Sequence, residues 1–230
     1  METKILKTDD ESIAEAGRIA AQGGLVAFPT ETVYGLGASA YDETSVARIY
    51  AAKGRPSDNP LIVHIADISD IDRLAESVSA EARRLIEAFM PGPFTIILKK
   101  SPLVPDAVTA GMDTVGIRFP ENDTAQRFIR AAGVPIAAPS ANLSEKPSPT
   151  EAKHVIDDMT GRIDAVIDGG SCSVGVESTI VDASGAVPVV LRPGGVTYEE
   201  LTAVVPETVI DPHILESIGE GERPKCPGMK

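Results

Sequence analysis

Apolar positions along the chain switch repeatedly between a helical and an extended period, and the switches mark out its elements. Ile5-Leu6 is a short apolar stretch fit for an edge strand. From Asp9 or Asp10 an amphipathic helix runs to about Gln22, with Ile13, Ala16, Ile19 and Ala20 on one face, and Gly23-Gly24 end it as a left-handed cap would. Leu25–Phe28 reads as a buried strand stopped by Pro29. Asp42 caps a second helix through Val46, Ile49 and Tyr50 to Lys53, and Leu61–Ile65 is the next strand. Short helices near 69–76 and 79–89 lead to the turn Pro91-Gly92-Pro93 and a strand over Thr95–Lys99. Residues 101–113 read as a loop, Thr114–Phe119 as a strand, Asn122–Ala132 as a helix closed by Gly133, and Val134–Ala138 as a strand. Thr150 caps a helix to about Met159, and strands over 164–168, 178–183 and 187–191 precede a short helix near 197–203. Alternating helices and strands, with hairpin spacing near the end and no internal repeat, predict a single α/β domain over 1–208 with a mixed, twisted sheet flanked by helices. Residues 209–230 read as an acidic tail rich in Gly and Pro, able to form one helical turn before Gly219, Gly221 and Pro224 interrupt it.

Composition narrows this picture. Apolar residues make up 43% and aromatics only 4%, with no Trp, so the core must be aliphatic. Acidic residues outnumber basic ones 34 to 21, a formal net charge of −13. Such a field repels polyphosphate backbones and argues against a broad nucleic-acid surface, while leaving room for a small anion in a local basic pocket. Cys172 and Cys226 stand far apart with no Cys-x-x-Cys spacing, which supports neither a disulfide framework nor a zinc site. The N-terminus lacks the basic and apolar regions of a signal peptide, and no apolar run is long enough to span a membrane; the expectation is a cytoplasmic protein.

Candidate chemistry gathers at Lys53-Gly-Arg-Pro-Ser-Asp-Asn-Pro-Leu-Ile-Val-His64, where two cations, an amide at Asn59 and an imidazole at His64 frame a two-proline loop. A helix C-terminus suits Lys53 and Arg55 without any ligand; the rigid loop beside them also suits an anion. Thr30–Gly37 supplies hydroxyls, the Glu31 carboxylate, a phenol and two glycines, compatible with a ligand loop or with a helix start capped by Thr30 or Thr32. Arg118 lies mid-strand between Ile117 and Phe119, where alternation makes it solvent-facing or cleft-facing. Pro139–Pro149 is a long polar loop carrying Ser140, Asn142 and Ser148. Arg192, before Pro193-Gly194-Gly195, offers a third cation on a turn, and no P-loop sequence is present.

These segments, with Pro91–Thr95, Val115–Pro120 and Ser178–Asp182, form an ordered series that resembles the YrdC/Sua5 family, the threonylcarbamoyladenylate synthases, over approximately residues 5 to 200. The resemblance implies the same fold with a ligand cleft on the concave face of the sheet. It implies L-threonine contacts at Thr32, His64, Arg118, the Ala138 backbone and Ser178. ATP contacts fall on Lys53, Arg55, Asn59, Thr114, Ser140, Ser148 and Arg192, with Lys53 and Arg55 as the catalytic cations. The implied reaction joins threonine, bicarbonate and ATP into threonylcarbamoyl-AMP with release of pyrophosphate. Mg²⁺ would be carried on the ATP phosphates, its protein ligands left open. The product would pass to a separate transferase for the t6A modification of tRNA, and the net charge argues against direct tRNA binding. Pro227-Gly-Met-Lys230 looks like the start of the linker that joins a second domain in longer Sua5 members. Two competing readings are an RNA-binding module and a carbamoyl-transfer domain of the hydrogenase-maturation type; the acidic charge and the lack of interleaved aromatics and cations oppose the first, and the chain length and two cysteines oppose the second.

Overall fold

The computed structural model describes residues 2–214 and Cys226. In chain order its elements are β1 (Lys4–Leu6), α1 (Asp10–Ala21), β2 (Val26–Phe28), β3 (Gly35–Ser39), α2 (Glu43–Lys53), β4 (Ile62–His64), α3 (Ile71–Leu74), α4 (Ala80–Phe89), β5 (Phe94–Lys99), α5 (Asp106–Thr109), β6 (Thr114–Arg118), α6 (Asp123–Ala132), β7 (Ile136–Ala138), α7 (Ala152–Met159), β8 (Ala165–Ile167), β9 (Thr179–Asp182), β10 (Val189–Arg192), α8 (Tyr198–Val204) and β11 (Val209–Ile210). The strands form one mixed sheet in the order β1-β8-β2-β3-β7-β4-β6-β5-β9-β10-β11. As the sequence pattern predicts, this is an α/β sheet with flanking helices.

Local chemistry explains where the helices begin and end. Asp9, Asp42 and Asn122 each accept a hydrogen bond from a first-turn backbone N–H of α1, α2 and α6. Gly54 closes α2 in the left-handed conformation, with φ of 63°. Side chains alternate across each strand, so Leu25 and Ala27 enter one apolar cluster while Val26 and Phe28 enter another, beneath α1 and α6. The same alternation builds the site. Val63, Ile65, Val115 and Ile117 point into the main core, leaving Ile62, His64, Gly116 and Arg118 on the opposite face. Parallel pairing of β4 with β6 sets Ile62 beside Gly116 and His64 beside Arg118.

Four expectations are corrected. Thr30 caps no helix: its hydroxyl accepts from the backbone of Thr32 and Val33 and donates to the Val33 carbonyl, making a turn from which Gly35 enters β3. The α7 N-cap is Glu151 rather than Thr150. The expected loop 101–113 contains α5. Residues 209–210 pair in parallel with β10, so the expected tail starts inside the sheet, not after it. Apart from Cys226, the rest of that tail, residues 215–230, lies outside the described residues. No helix among the described residues is long and apolar enough to cross a membrane.

Candidate active site

On the face of the sheet opposite the main core lies a cavity of about 140 Å³. Its lining includes Thr32, Arg55, His64, Arg118, Ala138, Ser140, Ser148, Ser178 and Arg192 from the sequence-predicted set, together with Thr30, Tyr34 and Glu177. Lys53, Asn59 and Thr114 do not line it. Thr114 lies in a neighbouring narrow pocket that shares Ile62 with the cavity and also contains Thr95 and Ile180.

The sheet side of the cavity is closely tied. Arg118 is 4% exposed rather than solvent-facing. One of its terminal nitrogens donates to Glu31 Oε1 at 2.6 Å, an ion pair whose side chains are 5% and 6% exposed. Thr30 Oγ1 lies 2.6 Å from the Val33 carbonyl, which uses its one proton. In its 3.0 Å contact with Thr32 Oγ1, Thr32 is therefore the donor. The Thr32 oxygen is left as an acceptor towards the cavity. His64 Nδ1 sits 3.1 Å from the Ile62 carbonyl, a contact that requires an N–H there. Burial, and then the Arg118 charge, push the His64 pKa down to about 3 against the carbonyls of Ile62 and Ile136, so the ring is neutral at pH 7. Ser178 Oγ lies 2.8 Å from Thr95 Oγ1 and accepts from Arg192 at 3.1 Å.

Arg192 reaches Ser178 because the turn after it lies flat on the sheet. Its Nε and one terminal nitrogen donate to the Ser178 carbonyl at 3.1 and 2.8 Å. A Cβ at Gly194 would stand 2.3 Å from the Glu177 carbonyl oxygen and 2.4 Å from the Thr179 nitrogen, so only glycine allows that approach. Burial lowers the Arg192 pKa, opposed by Cys226 and Glu177.

On the loop side, Arg55 is the loosely held group. Arg55 makes contacts of 3.5 and 3.4 Å to the carbonyls of Asn59 and Pro60. Its Nε and Asn59 Oδ1 are buried with no hydrogen-bond partner among the described residues. Burial lowers the Arg55 pKa, and Tyr50 and Asp58 oppose it. Lys53 is 3% exposed, and its ammonium donates to the carbonyls of Ser140 and Asn142, tying the end of α2 to the 139–149 loop. Burial, reinforced by Arg55 and opposed by Asp158, brings its pKa to about 7. Ser140 donates to Asn142 Oδ1 at 2.5 Å, and Ser148 donates to Glu177 Oε1 at 2.8 Å.

The fold places three further polar groups here: Glu31, read from the sequence only as part of a ligand loop, behind Arg118, and Thr95 and Glu177, given no role there, against Ser178 and under Ser148. Two of them adjoin residues already singled out, since Glu31 precedes Thr32 and Glu177 precedes Ser178. Adjacency was the available signal.

Comparison with known proteins matches residues 18–194 to the family model named for Sua5, YciO and YrdC and described as telomere recombination. A Bacillus subtilis (strain 168) protein named threonylcarbamoyl-AMP synthase is 50% identical over 232 residues, covering 99% of this chain and 65% of that protein. A Pyrococcus abyssi protein of the same name is 51% identical over 210 residues, covering 91% of this chain and 61% of that one. The chain thus spans a little under two thirds of the length of these curated relatives. The crystal structure of P. abyssi Sua5 complexed with L-threonine superimposes with a TM-score of 0.95 at 47% identity, covering 99% of this chain and 68% of that chain.

Proposed function

The chain belongs to the Sua5/YciO/YrdC family, and from that premise we propose that it synthesises L-threonylcarbamoyl-AMP from L-threonine, bicarbonate and ATP. One observation carries the reading. In a chain of net charge −13, three guanidinium groups, Arg55, Arg118 and Arg192, converge on one cavity that also offers neutral acceptors at Thr32 and His64. Such a cavity suits a carboxylate beside a phosphate chain, with a hydroxyl or amine held between them.

In this reading the sheet side takes threonine. Arg118 receives the carboxylate, and Thr32, His64 and Ser178 bind the hydroxyl and the amine, with the Ala138 backbone closing the pocket. The loop side takes the triphosphate through Arg55, Ser140, Ser148 and Arg192, and the nucleoside extends past Ile62 towards Thr114. The amine nitrogen attacks the carbon of bicarbonate-derived CO₂ and loses a proton, giving a carbamate. A carbamate oxygen then forms a bond to the α-phosphorus as the bond to the β-phosphate oxygen breaks, and pyrophosphate leaves. The protein contributes position and fixed positive charge, and no covalent intermediate is required. This makes the activity a nucleotidyl transfer.

The hydroxyls of Ser140 and Ser148 and the carboxylate of Glu177 are hard oxygen donors that suit Mg²⁺. Bound there, Mg²⁺ would neutralise charge on the leaving pyrophosphate. Lys53, placed away from the cavity, serves by holding the Ser140–Asn142 loop in shape. The product would be handed to a tRNA-modifying transferase, and the acidic surface is unsuited to holding tRNA itself. The test is pyrophosphate release from ATP, with threonine and bicarbonate omitted in turn. Release should require both; release that persists without threonine overturns the assignment.

A further inference from the structure

Glu31 is not part of the cavity lining; its Oε1 pairs with Arg118, while Oε2 is buried without a hydrogen-bond partner among the described residues. The Thr30 hydroxyl folds residues 30–33 into a turn around it, and its carbonyl accepts from Val174 N at 2.7 Å. Its carboxylate is thereby presented to Arg118 at 2.6 Å from a fixed backbone. A buried ion pair of this kind adds little to stability, because desolvation of both charges offsets their attraction. What it does supply is direction. The Arg118 guanidinium has five donors in a rigid plane, and anchoring one terminal nitrogen fixes where the others point. Arg118 Nε is buried without a hydrogen-bond partner among the described residues, so the pairing with Glu31 leaves the plane incompletely used.

We propose that Glu31 is a positioning residue, holding the Arg118 guanidinium so that its unused donors meet the carboxylate of the amino-acid substrate. The proposal rests on the threonine reading of the sheet side given above. It differs in sign from a purely electrostatic role. A carboxylate behind the guanidinium repels an incoming carboxylate, so charge alone predicts that neutralising Glu31 tightens binding. Positioning instead makes the reach of the side chain decisive.

Two variants separate these effects. Glu31→Asp keeps the charge and shortens the reach by one methylene; Glu31→Gln keeps the reach and an accepting oxygen but removes the charge. Calorimetry would compare L-threonine, L-threoninamide (which lacks the carboxylate) and ATP on each. Positioning predicts that Glu31→Asp lowers threonine affinity about tenfold, a typical loss for a misaligned charge-assisted pair. Glu31→Gln should stay within about threefold of the parent. Threoninamide and ATP should be unaffected by either change. A weaker Glu31→Gln than Glu31→Asp, or parallel losses for threonine and threoninamide, overturns the proposal. The Arg118 Nε–H resonance gives a ligand-free reading: it should shift in Glu31→Asp and stay in Glu31→Gln, and the reverse order overturns the proposal. If the parent protein gives no heat with threonine, the functional reading falls, while that resonance still decides whether Glu31 sets the guanidinium.

Discussion

The two sides of the cavity differ in how far they are prepared before any ligand arrives. On the sheet side, Arg118, Thr32 and Ser178 each have partners at 2.6–3.0 Å, with Arg118 on β6, whose register with β4 is fixed by burial. On the loop side, Arg55 has only contacts of 3.4 and 3.5 Å to two carbonyls, whereas buried polar atoms without a partner among the described residues occur on both sides, Glu31 Oε2 and Arg118 Nε on the one and Arg55 Nε and Asn59 Oδ1 on the other. A prepared pocket binds with little loss of conformational freedom, whereas a loose one must be ordered by what it binds. In the proposed reading, the sheet side recognises a small ligand by shape and hydrogen bonding. In the same reading, Arg55 on the loop side is completed by the charge of its ligand.

The comparison breaks most visibly at Arg118. Arg118→Ala leaves the Glu31 carboxylate buried without its cation, and breaking such a pair costs about 3–5 kcal/mol of stability. Denaturant unfolding would show it. Arg118→Lys should fold nearly normally and lose threonine affinity by about 1–3 kcal/mol, because a point charge replaces the fork. A stability loss under about 1 kcal/mol in Arg118→Ala would mean that the sheet side is not prepared in the sense argued here.

His64 gives the same comparison a pH axis. The unfolded chain takes up a proton near the ordinary value of 6.5, while the folded ring resists protonation until about 3. The neutral ring therefore contributes stability that is complete above about pH 6.5 and is lost as the pH falls towards 3. By about pH 4.5 the loss from this one group reaches about 2–3 kcal/mol. His64→Gln removes the titration, so its stability should fall less steeply over that range. Parallel stability–pH curves for the two proteins would contradict the neutral, buried ring.

On the loop side, Lys53→Met tests whether the lysine holds the loop or meets the ligand. Losing its bonds to the Ser140 and Asn142 carbonyls, partly offset by no longer burying a charge, should cost about 1–2 kcal/mol of stability. Hydrogen exchange should quicken in residues 139–149, and ATP should bind more weakly while threonine alone binds as before. Unchanged exchange in that loop would return Lys53 to the ligand.

How far the sequence reveals this division depends on the range of the interactions. Helix starts at Asp9, Asp42 and Asn122 are read correctly because a cap is a contact within three residues. The alternation around Arg118 is also read correctly, but its surroundings are not. Solvent or a cleft was the expected neighbour, and the fold adds Glu31, 87 positions earlier. Lys53 and Arg55 look like a matched pair because they stand two residues apart. Gly54 turns the chain between them, and the carbonyls that take the Lys53 ammonium lie 87 and 89 positions away. Val209 and Ile210 are read as the start of an acidic, Gly/Pro-rich tail because a two-residue edge strand has no periodicity to detect. Residue types for the cavity are legible; which charge faces which is a property of the sheet order.

The smallest structural effect belongs to Arg55, and its smallness is what sharpens the contrast. Its guanidinium is held by long contacts to two carbonyls, and its Nε has no partner among the described residues. Truncation removes a half-buried charge whose desolvation is poorly compensated, so the lost contacts and the relieved burial nearly cancel. Arg55→Ala should change folding stability by less than about 0.5 kcal/mol, the range of an ordinary surface substitution. Its functional effect should be confined to one ligand. Threonine affinity should stay within about twofold, because no sheet-side hydrogen bond involves Arg55, while ATP affinity falls by about 1.5–3 kcal/mol through loss of a charge-assisted contact to phosphate. Unfolding curves with calorimetry for each ligand separately would measure all three quantities. A destabilisation comparable to that of Arg118→Ala would show the loop side to be as firmly prepared as the sheet side. An equal loss for threonine and ATP would show that the two sides do not act as separate halves.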